Sequence, residues 1–290
     1  MYPASFEYYA PQSVSEALAL LTQNADAKVI AGGHSLLPLM KLRLAQPAAL
    51  IDIGKIAALN GIQELDDGFA LGALTTHHDI EHSVALRHAC PLLPEVASHI
   101  GDRQVRNRGT IGGSLAHADP AADYPAAMLA LGATIEAQGP GGKRSVSADE
   151  LFTGLFQTAL HANELVVSVR VPKTSGPGVG VAYAKFPHPA SRYAIAGVAV
   201  VVKIENDLVR DIRIGVTGAA DHAQRATQSE AALRGKSLSR ENIAAAAQLA
   251  SAGFTALGDM FASSDYRAHL VNTLTEQALN KAHHQIHGWH

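Results

Sequence analysis

The sequence TIGGSLAHADPAADYPAAMLALGA, at residues 110–133, joins a glycine pair, two aspartates and a long apolar run. A Gly-Gly pair lets backbone amides approach an anion, because no Cβ stands in the way. Asp123 comes two residues before Pro125, which a helix tolerates in its first turn, and the apolar run continues to Leu131. The stretch therefore predicts an anion-binding turn followed by a buried helix over 123–131.

A second glycine pair lies upstream in the sequence AGGHS, at residues 31–35, directly after the apolar run 27–31. Ser35, Thr110 and Ser114 add hydroxyl donors beside the two pairs. Two such loops could hold a diphosphate between them, although two ordinary tight turns would give the same pattern. Neither loop matches a G-x-G-x-x-G fingerprint or a P-loop, so neither a Rossmann domain nor a nucleotide-hydrolysing domain is indicated.

The rest of the chain predicts alternating helices and strands. A capping box at 13–16 begins a helix, and strands at 27–31 and 50–53 suggest a βαβ-like unit. A hairpin at 62–75, helices near 77–83 and 91–101, a loop over 101–114 and strands at 133–137, 144–146 and 165–171 follow. A boundary at 174–180 precedes strands at 179–186, 193–204 and 208–218 and helices at 227–234, 239–252 and 264–282. The histidine-rich end of the chain, 283–290, is expected to be a frayed tail.

Composition excludes several classes of protein. Of the 290 residues, 47% are hydrophobic and 17% are charged, and the net charge is -3. The sequence has no cluster of Lys and Arg residues, so nucleic acid is not indicated as a partner. Apolar stretches are too short to cross a membrane and no secretory signal precedes them, which favours the cytoplasm. Cys90 is the only cysteine, so an all-thiolate iron–sulfur cluster and a cysteine-rich zinc site are excluded.

Fifteen histidines raise the question of a metal site. His78 and His82 are four residues apart, with His77 beside them. No H-E-x-x-H motif is present, and no nearby carboxylate has the spacing of a third ligand. We therefore expect these histidines on a surface helix and no metal in this chain.

Four stretches in order make a family resemblance specific: 31–43 with 51–53, 110–133, 151–172 and 185–200. Together they resemble the FAD-binding medium subunit of the molybdenum hydroxylases, the flavoprotein subunit of the carbon monoxide dehydrogenase and xanthine dehydrogenase family. The resemblance implies an α+β fold with a two-lobed FAD-binding domain of the vanillyl-alcohol-oxidase (PCMH) type at 1–175, its lobes at about 1–55 and 56–175. A C-terminal domain at 176–290, with a three-stranded antiparallel sheet and helices, should follow.

The resemblance also implies the site residues. The FAD diphosphate would lie on the two glycine loops, at Ala31, Gly32, Gly33, His34, Ser35, Leu36, Thr110, Ile111, Gly112, Gly113 and Ser114. Asp123 would bind ribityl or ribose hydroxyls, although from the residues alone it could equally cap the helix. Lys185 would lie by the flavin and Tyr193 would shield the ring, unless Tyr193 is a buried strand residue. Ser114 departs from the asparagine or aspartate that the family often has there.

The function implied is electron transfer. FAD, bound non-covalently despite His34, would receive electrons from a small subunit with two [2Fe-2S] clusters, and a large subunit would hold molybdopterin. The expected assembly is a dimer of heterotrimers, in the cytoplasm or at the inner face of the membrane, with quinone, NAD or oxygen as acceptor. Two alternatives are a free-standing FAD-dependent oxidoreductase using its own substrate or NAD(P)H, and a non-catalytic assembly module. The intact glycine loops count against the last.

Overall fold

The first part of the fold is a small parallel sheet in the computed structural model, which describes residues 2–288. Its strands are Glu7–Tyr9 (β1), Ala27–Ile30 (β2) and Ala49–Asp52 (β3), in the order β1-β3-β2. Two helices accompany them, Val14–Gln23 (α1) and Leu36–Lys41 (α2). Ser13 caps α1 by accepting from the Glu16 amide, whereas Glu16 reaches the amide of Gln12 rather than that of Ser13. The βαβ-like unit is confirmed, and the first glycine pair lies where β2 leads into α2.

A five-stranded antiparallel sheet follows, in the order β4-β5-β10-β6-β7. A short 3₁₀ turn at Ala57–Leu59 precedes it. The strands are Ile62–Glu64 (β4), Gly68–Gly72 (β5), Thr134–Gly139 (β6), Gly142–Ser147 (β7), a separate pair Phe152–Gly154 (β8) and Gln157–Thr158 (β9), and Leu165–Pro172 (β10). The predicted hairpin at 62–75 is confirmed as the pairing of β4 with β5.

Seven helices lie in this half of the described chain after β5: His77–His82 (α3), Val84–Ala89 (α4), Leu92–Ser98 (α5), Arg103–Arg106 (α6), Ile111–His117 (α7), Asp123–Leu131 (α8) and Ala148–Leu151 (α9). The predicted bounds of α8 are confirmed. The predicted loop over 101–114 is wrong in part, because α6 and the start of α7 lie within it. Asp102 and Thr110 begin these helices by accepting from the amides of Val105 and Gly113.

The C-terminal sheet has four antiparallel strands, not the three we expected. Three long strands, Val179–Pro187 (β11), Ala194–Glu205 (β12) and Leu208–Thr217 (β13), are joined by Gln224–Arg225 (β14), in the order β11-β12-β13-β14. β14 has only two residues, too few for a periodicity to be visible in the sequence. The turn between β12 and β13 lies at Asn206 and Asp207, with φ of 52° and 61°.

Three helices complete the C-terminal half: Thr227–Leu233 (α10), Arg240–Ala247 (α11) and Ser264–His287 (α12). α11 ends five residues before the predicted limit. The expected frayed tail is helical up to His287, while Trp289 and His290 lie outside the described residues. No helix in residues 2–288 is both long enough and apolar enough to cross a membrane.

Helix α8 joins the two halves, and all nine of its residues are buried. One side of the helix packs on α5, and β12 and β13 cover another. Thr217 Oγ1 donates to the Ala122 carbonyl at 2.6 Å, and a Cβ added to Gly215 would lie 2.0 Å from the Ala126 carbonyl oxygen. A helix apolar on all sides needs cover all round, which explains why both halves contribute to it. The packing sets the start of α8 against β11.

Candidate functional site

The two glycine segments lie against each other. A Cβ added to Gly32 would be 2.1 Å from the Arg108 carbonyl oxygen, directly before the second segment. A Cβ on Gly113 would lie 3.9 Å from that of Ala31. Segments about 80 residues apart in sequence therefore form one surface, and the absence of side chains permits their close approach.

The first segment presents unpaired backbone donors. Within residues 2–288, the amides of residues 32–36 donate to no protein acceptor. Gly33 has φ +76°, the left-handed conformation that turns successive amides toward one point. His34 is exposed, and Ser35 stands at the start of α2 without capping it. A row of free amides at a turn suits an anion such as a diphosphate.

The second segment is built differently from our expectation. The Ile111 and Gly112 amides donate to Thr75 and Ala73, and that of Gly113 donates to Thr110 Oγ1. Gly112 is buried, and a Cβ there would lie 2.5 Å from the Cβ of Ala73. The glycine pair thus permits tight packing and does not expose free amides. That Thr110, Ile111, Gly112, Gly113 and Ser114 line a cofactor stays a prediction.

Asp123 belongs to a buried polar cluster. Its side chain is 5% exposed, with Oδ1 accepting from the Tyr183 hydroxyl at 2.5 Å and lying 2.7 Å from Lys185 Nζ. Lys185, 1% exposed, also donates to the His99 carbonyl oxygen at 3.0 Å. Burial raises the pKa of Asp123, and the Lys185 ammonium opposes that shift.

This geometry decides whether Asp123 caps the helix, and it adds Tyr183 to the candidate site. The helix cap is Ala122, so Asp123 is not the N-cap. Sequence reasoning missed Tyr183, which lies on β11 two residues before Lys185. Residues at i and i+2 of a strand share one face, so the position of Lys185 was a usable signal.

Tyr193 brings the C-terminal half to the first glycine segment. It lies before β12 and is 41% exposed, so the alternative of a buried strand tyrosine is wrong. Burial of its hydroxyl and the Asp119 carboxylate raise the pKa of Tyr193, and a hydrogen bond with the Ser35 side chain partly offsets this. The Tyr193 hydroxyl thus lies close to Ser35 of the first glycine segment, while part of the residue is open to solvent.

The histidines of α3 divide into two groups. His77 is 5% exposed, packs edge-on against Tyr124 at 5.2 Å, and has no partner at Nδ1 within the described chain, contrary to the expected surface position. Burial, with the charges of His34 and Arg106, lowers the pKa of His77 to about 3, so the ring is neutral at physiological pH. His78 and His82 are exposed as expected.

The arrangement suits a bound cofactor that brings its own chemistry. Free amides, a glycine at positive φ and a cradle that a Cβ would fill match the diphosphate of FAD. Tyr193 lies at Ser35 of that segment, and the buried Lys185–Asp123 pair joins the start of α8 to β11.

Comparisons with known proteins agree with this geometry. Residues 4–174 match the FAD binding domain in molybdopterin dehydrogenase, and residues 181–282 match the CO dehydrogenase flavoprotein C-terminal domain. The carbon monoxide dehydrogenase medium chain of Hydrogenophaga pseudoflava is 44% identical, over 97% of this chain and 98% of its own. The nicotine 6-hydroxylase medium subunit of Paenarthrobacter nicotinovorans is 38% identical, over 96% and 97%.

Solved structures give the same result. Carbon monoxide dehydrogenase from Hydrogenophaga pseudoflava matches with a TM-score of 0.94 and 46% identity, over 97% of this chain and 98% of that one. Quinoline 2-oxidoreductase from Pseudomonas putida 86 matches with a TM-score of 0.92 and 33% identity, over 99% of both chains.

Proposed function

We propose, from the fact that this chain belongs to the family of FAD-binding domains of the molybdopterin dehydrogenases, that it carries electrons out of a multi-subunit molybdenum hydroxylase. Electrons from iron–sulfur clusters of a partner subunit would leave through this chain to an external acceptor: quinone, NAD or oxygen. FAD, when bound, exchanges electrons one or two at a time. The chain belongs to an oxidoreductase of the carbon monoxide, aldehyde and N-heterocycle type.

In this proposal, the chain's own residues bind FAD and orient it. The amides of residues 32–36 would hold the diphosphate, non-covalently, with Gly33 setting their direction. Tyr193 would cover one side of the flavin, and Asp123 would hold Lys185 in place next to it. The second glycine segment would close the cradle through its close approach to Ala31. We propose two domains, at 1–175 and 176–290. The first has two lobes of the vanillyl-alcohol-oxidase type, at about 1–55 and 56–175.

One observation carries the proposal: the five successive amides of residues 32–36 donate to no acceptor within residues 2–288, in a chain whose single cysteine is buried. The amides fit the cofactor, and a lone thiol cannot ligate a cluster, so the iron–sulfur clusters and molybdopterin would lie on other polypeptides. We propose a large and a small subunit as partners, in a dimer of heterotrimers that works in the cytoplasm or at the inner face of the membrane.

Rapid mixing tests the electron path. The reduced small subunit is mixed with the FAD-loaded chain and flavin absorbance is followed, with the chain alone plus substrate as the comparison. We expect flavin reduction by the small subunit and none by substrate alone. Substrate oxidation by the isolated chain would contradict the proposal and favour a free-standing oxidoreductase.

A further inference from the structure

The exposed face of α3 gathers three metal-ligating side chains that the FAD site does not use. His78, Glu81 and His82 each offer one ligand atom, and these atoms lie within 4.8 Å of one another. The two imidazole rings are 4.2 Å apart at their centres. Contrary to the expectation from the sequence, a carboxylate with suitable spacing is present, because Glu81 lies three residues after His78 on the same face.

One histidine is already oriented for a ligand. His82 Nδ1 lies 2.9 Å from the His78 carbonyl oxygen. A carbonyl oxygen only accepts, so this bond requires the hydrogen on Nδ1 and leaves the lone pair on Nε2. Metal-bound histidines in proteins commonly have this arrangement, with the second ring nitrogen donating to a backbone carbonyl.

The carboxylate is fixed as well. Arg106 Nε donates to Glu81 Oε2 at 2.7 Å, and Arg106 itself is held by the Ile100 carbonyl oxygen at 3.1 Å. A carboxylate has two oxygens, so Glu81 can keep Arg106 on one and bind an ion with the other. The Glu81 side chain is 18% exposed, and its freedom is small before any ion arrives.

Charge near the cluster is the main opposing factor. Arg106 pairs with the Glu81 carboxylate, and Arg87 is directed to the Glu81 backbone carbonyl at 2.8 Å. The Asp79 carboxylate accepts a hydrogen bond from the Thr76 hydroxyl at 2.7 Å, at the start of the helix. Neutral imidazoles that donate a lone pair tolerate such surroundings better than a purely acidic site would, which favours a nitrogen-preferring ion over Ca²⁺ or Mg²⁺.

We propose that His78, Glu81 and His82 form a binding site for a divalent transition-metal ion of the Zn²⁺ class, with water completing the coordination. Two histidines and a carboxylate are a donor set typical of zinc. The site is separate from the proposed electron path, since none of its three residues belongs to the glycine segments or to the Asp123–Lys185 cluster. It also differs from the molybdenum centre that we assign to a partner.

Zinc titration of the full-length, FAD-loaded chain tests the site. The histidine-rich end of the chain could bind zinc on its own, so the parent protein for this experiment carries glutamine at all four histidines of 283–290 and no affinity tag. We expect one ion per chain by isothermal titration. His78→Gln and His82→Gln should each weaken binding about tenfold or more, since each removes a ligand.

His88→Gln is the matched control, because His88 is also exposed but lies on α4 outside the cluster. Its zinc affinity should equal that of the parent. FAD content of every variant reports whether the fold and the proposed cofactor site survive, separately from zinc. No zinc binding by the parent, or unchanged affinity in both ligand variants, would overturn the inference.

Discussion

Gly33 has a left-handed backbone conformation, and the space that a Cβ would need there is already filled by neighbouring side chains. At φ +76°, a Cβ would also lie 2.9 Å from Leu37 Cδ1. Gly33→Val should therefore cost about 1–3 kcal/mol of backbone strain and turn the free amides away from the diphosphate, so that the purified protein loses most of its FAD. The absorbance ratio of flavin to protein measures this loss.

Gly142→Val is the matched control for that substitution. Gly142 also has positive φ, +112°, but is the first residue of β7, directly after the turn at 140–141, with nothing within 4 Å of its Cβ position. It should carry similar strain and keep its FAD. Equal FAD content in both variants would remove the first glycine segment from the cofactor site.

Lys185 neutralises a carboxylate that water hardly reaches. Removing one partner of a buried ion pair typically costs about 3–5 kcal/mol, because the other charge stays buried. Lys185→Met should lower the free energy of unfolding in urea by that order, and the double variant Asp123→Asn with Lys185→Met should recover part of it. A single variant as stable as the parent would mean that Asp123 is protonated or hydrated in its place.

An ion pair between Arg144 and Glu164 ties β7 to the segment before β10. Arg144 donates to both Glu164 oxygens, at 2.7 and 2.8 Å, and holds the pKa of Glu164 down to about 2 from 4.5. A depressed carboxyl pKa gives stability that is present above pH 4.5 and lost as pH falls toward 2. Arg144 is 37% exposed, so solvent screening reduces this contribution to about 1 kcal/mol.

Glu164→Gln should make the free energy of unfolding depend less on pH in the acid range. The difference in free energy of unfolding between pH 5 and pH 2 should be about 1 kcal/mol smaller in the variant than in the parent, measured by urea titration. Glu7→Gln, at an exposed carboxylate with no side-chain partner among the described residues, should leave the difference unchanged. Parallel curves for the parent and Glu164→Gln would show that the pair is not held in solution.

Elements were predictable where local signals were strong. α8 was predicted to the residue because Pro125 marks its first turn and the apolar run continues to Leu131, and Gly132, in the left-handed conformation, follows its last residue. α6 and α7 were missed because glycine and asparagine nearby suggested a loop, although Asp102 and Thr110 are ordinary helix caps. The Tyr183–Asp123 bond joins residues 60 apart, and no local pattern specifies which distant strand will face a helix.

At the scale of the whole molecule, the prediction concerns assembly. Co-expression of this chain with the proposed large and small subunits should yield a complex, because the chain lacks the ligands for clusters that the proposed reaction needs, and the proposed dimer of heterotrimers should contain two copies of each subunit. Native mass spectrometry measures the stoichiometry. A chain that remains alone when the partners are present would refute the assembly.

The shared burial of α8 has a consequence for recombination. Ala126 and Gly215 touch across the two halves at a distance that admits no further atom. A crossover between homologous genes at 174–180 would join a helix from one parent to a sheet from another, and only a parent that keeps glycine at position 215 of the sheet should give folded hybrids. The segment 174–180 has the composition of a flexible linker, yet the burial of α8 by both halves should require that they be inherited together.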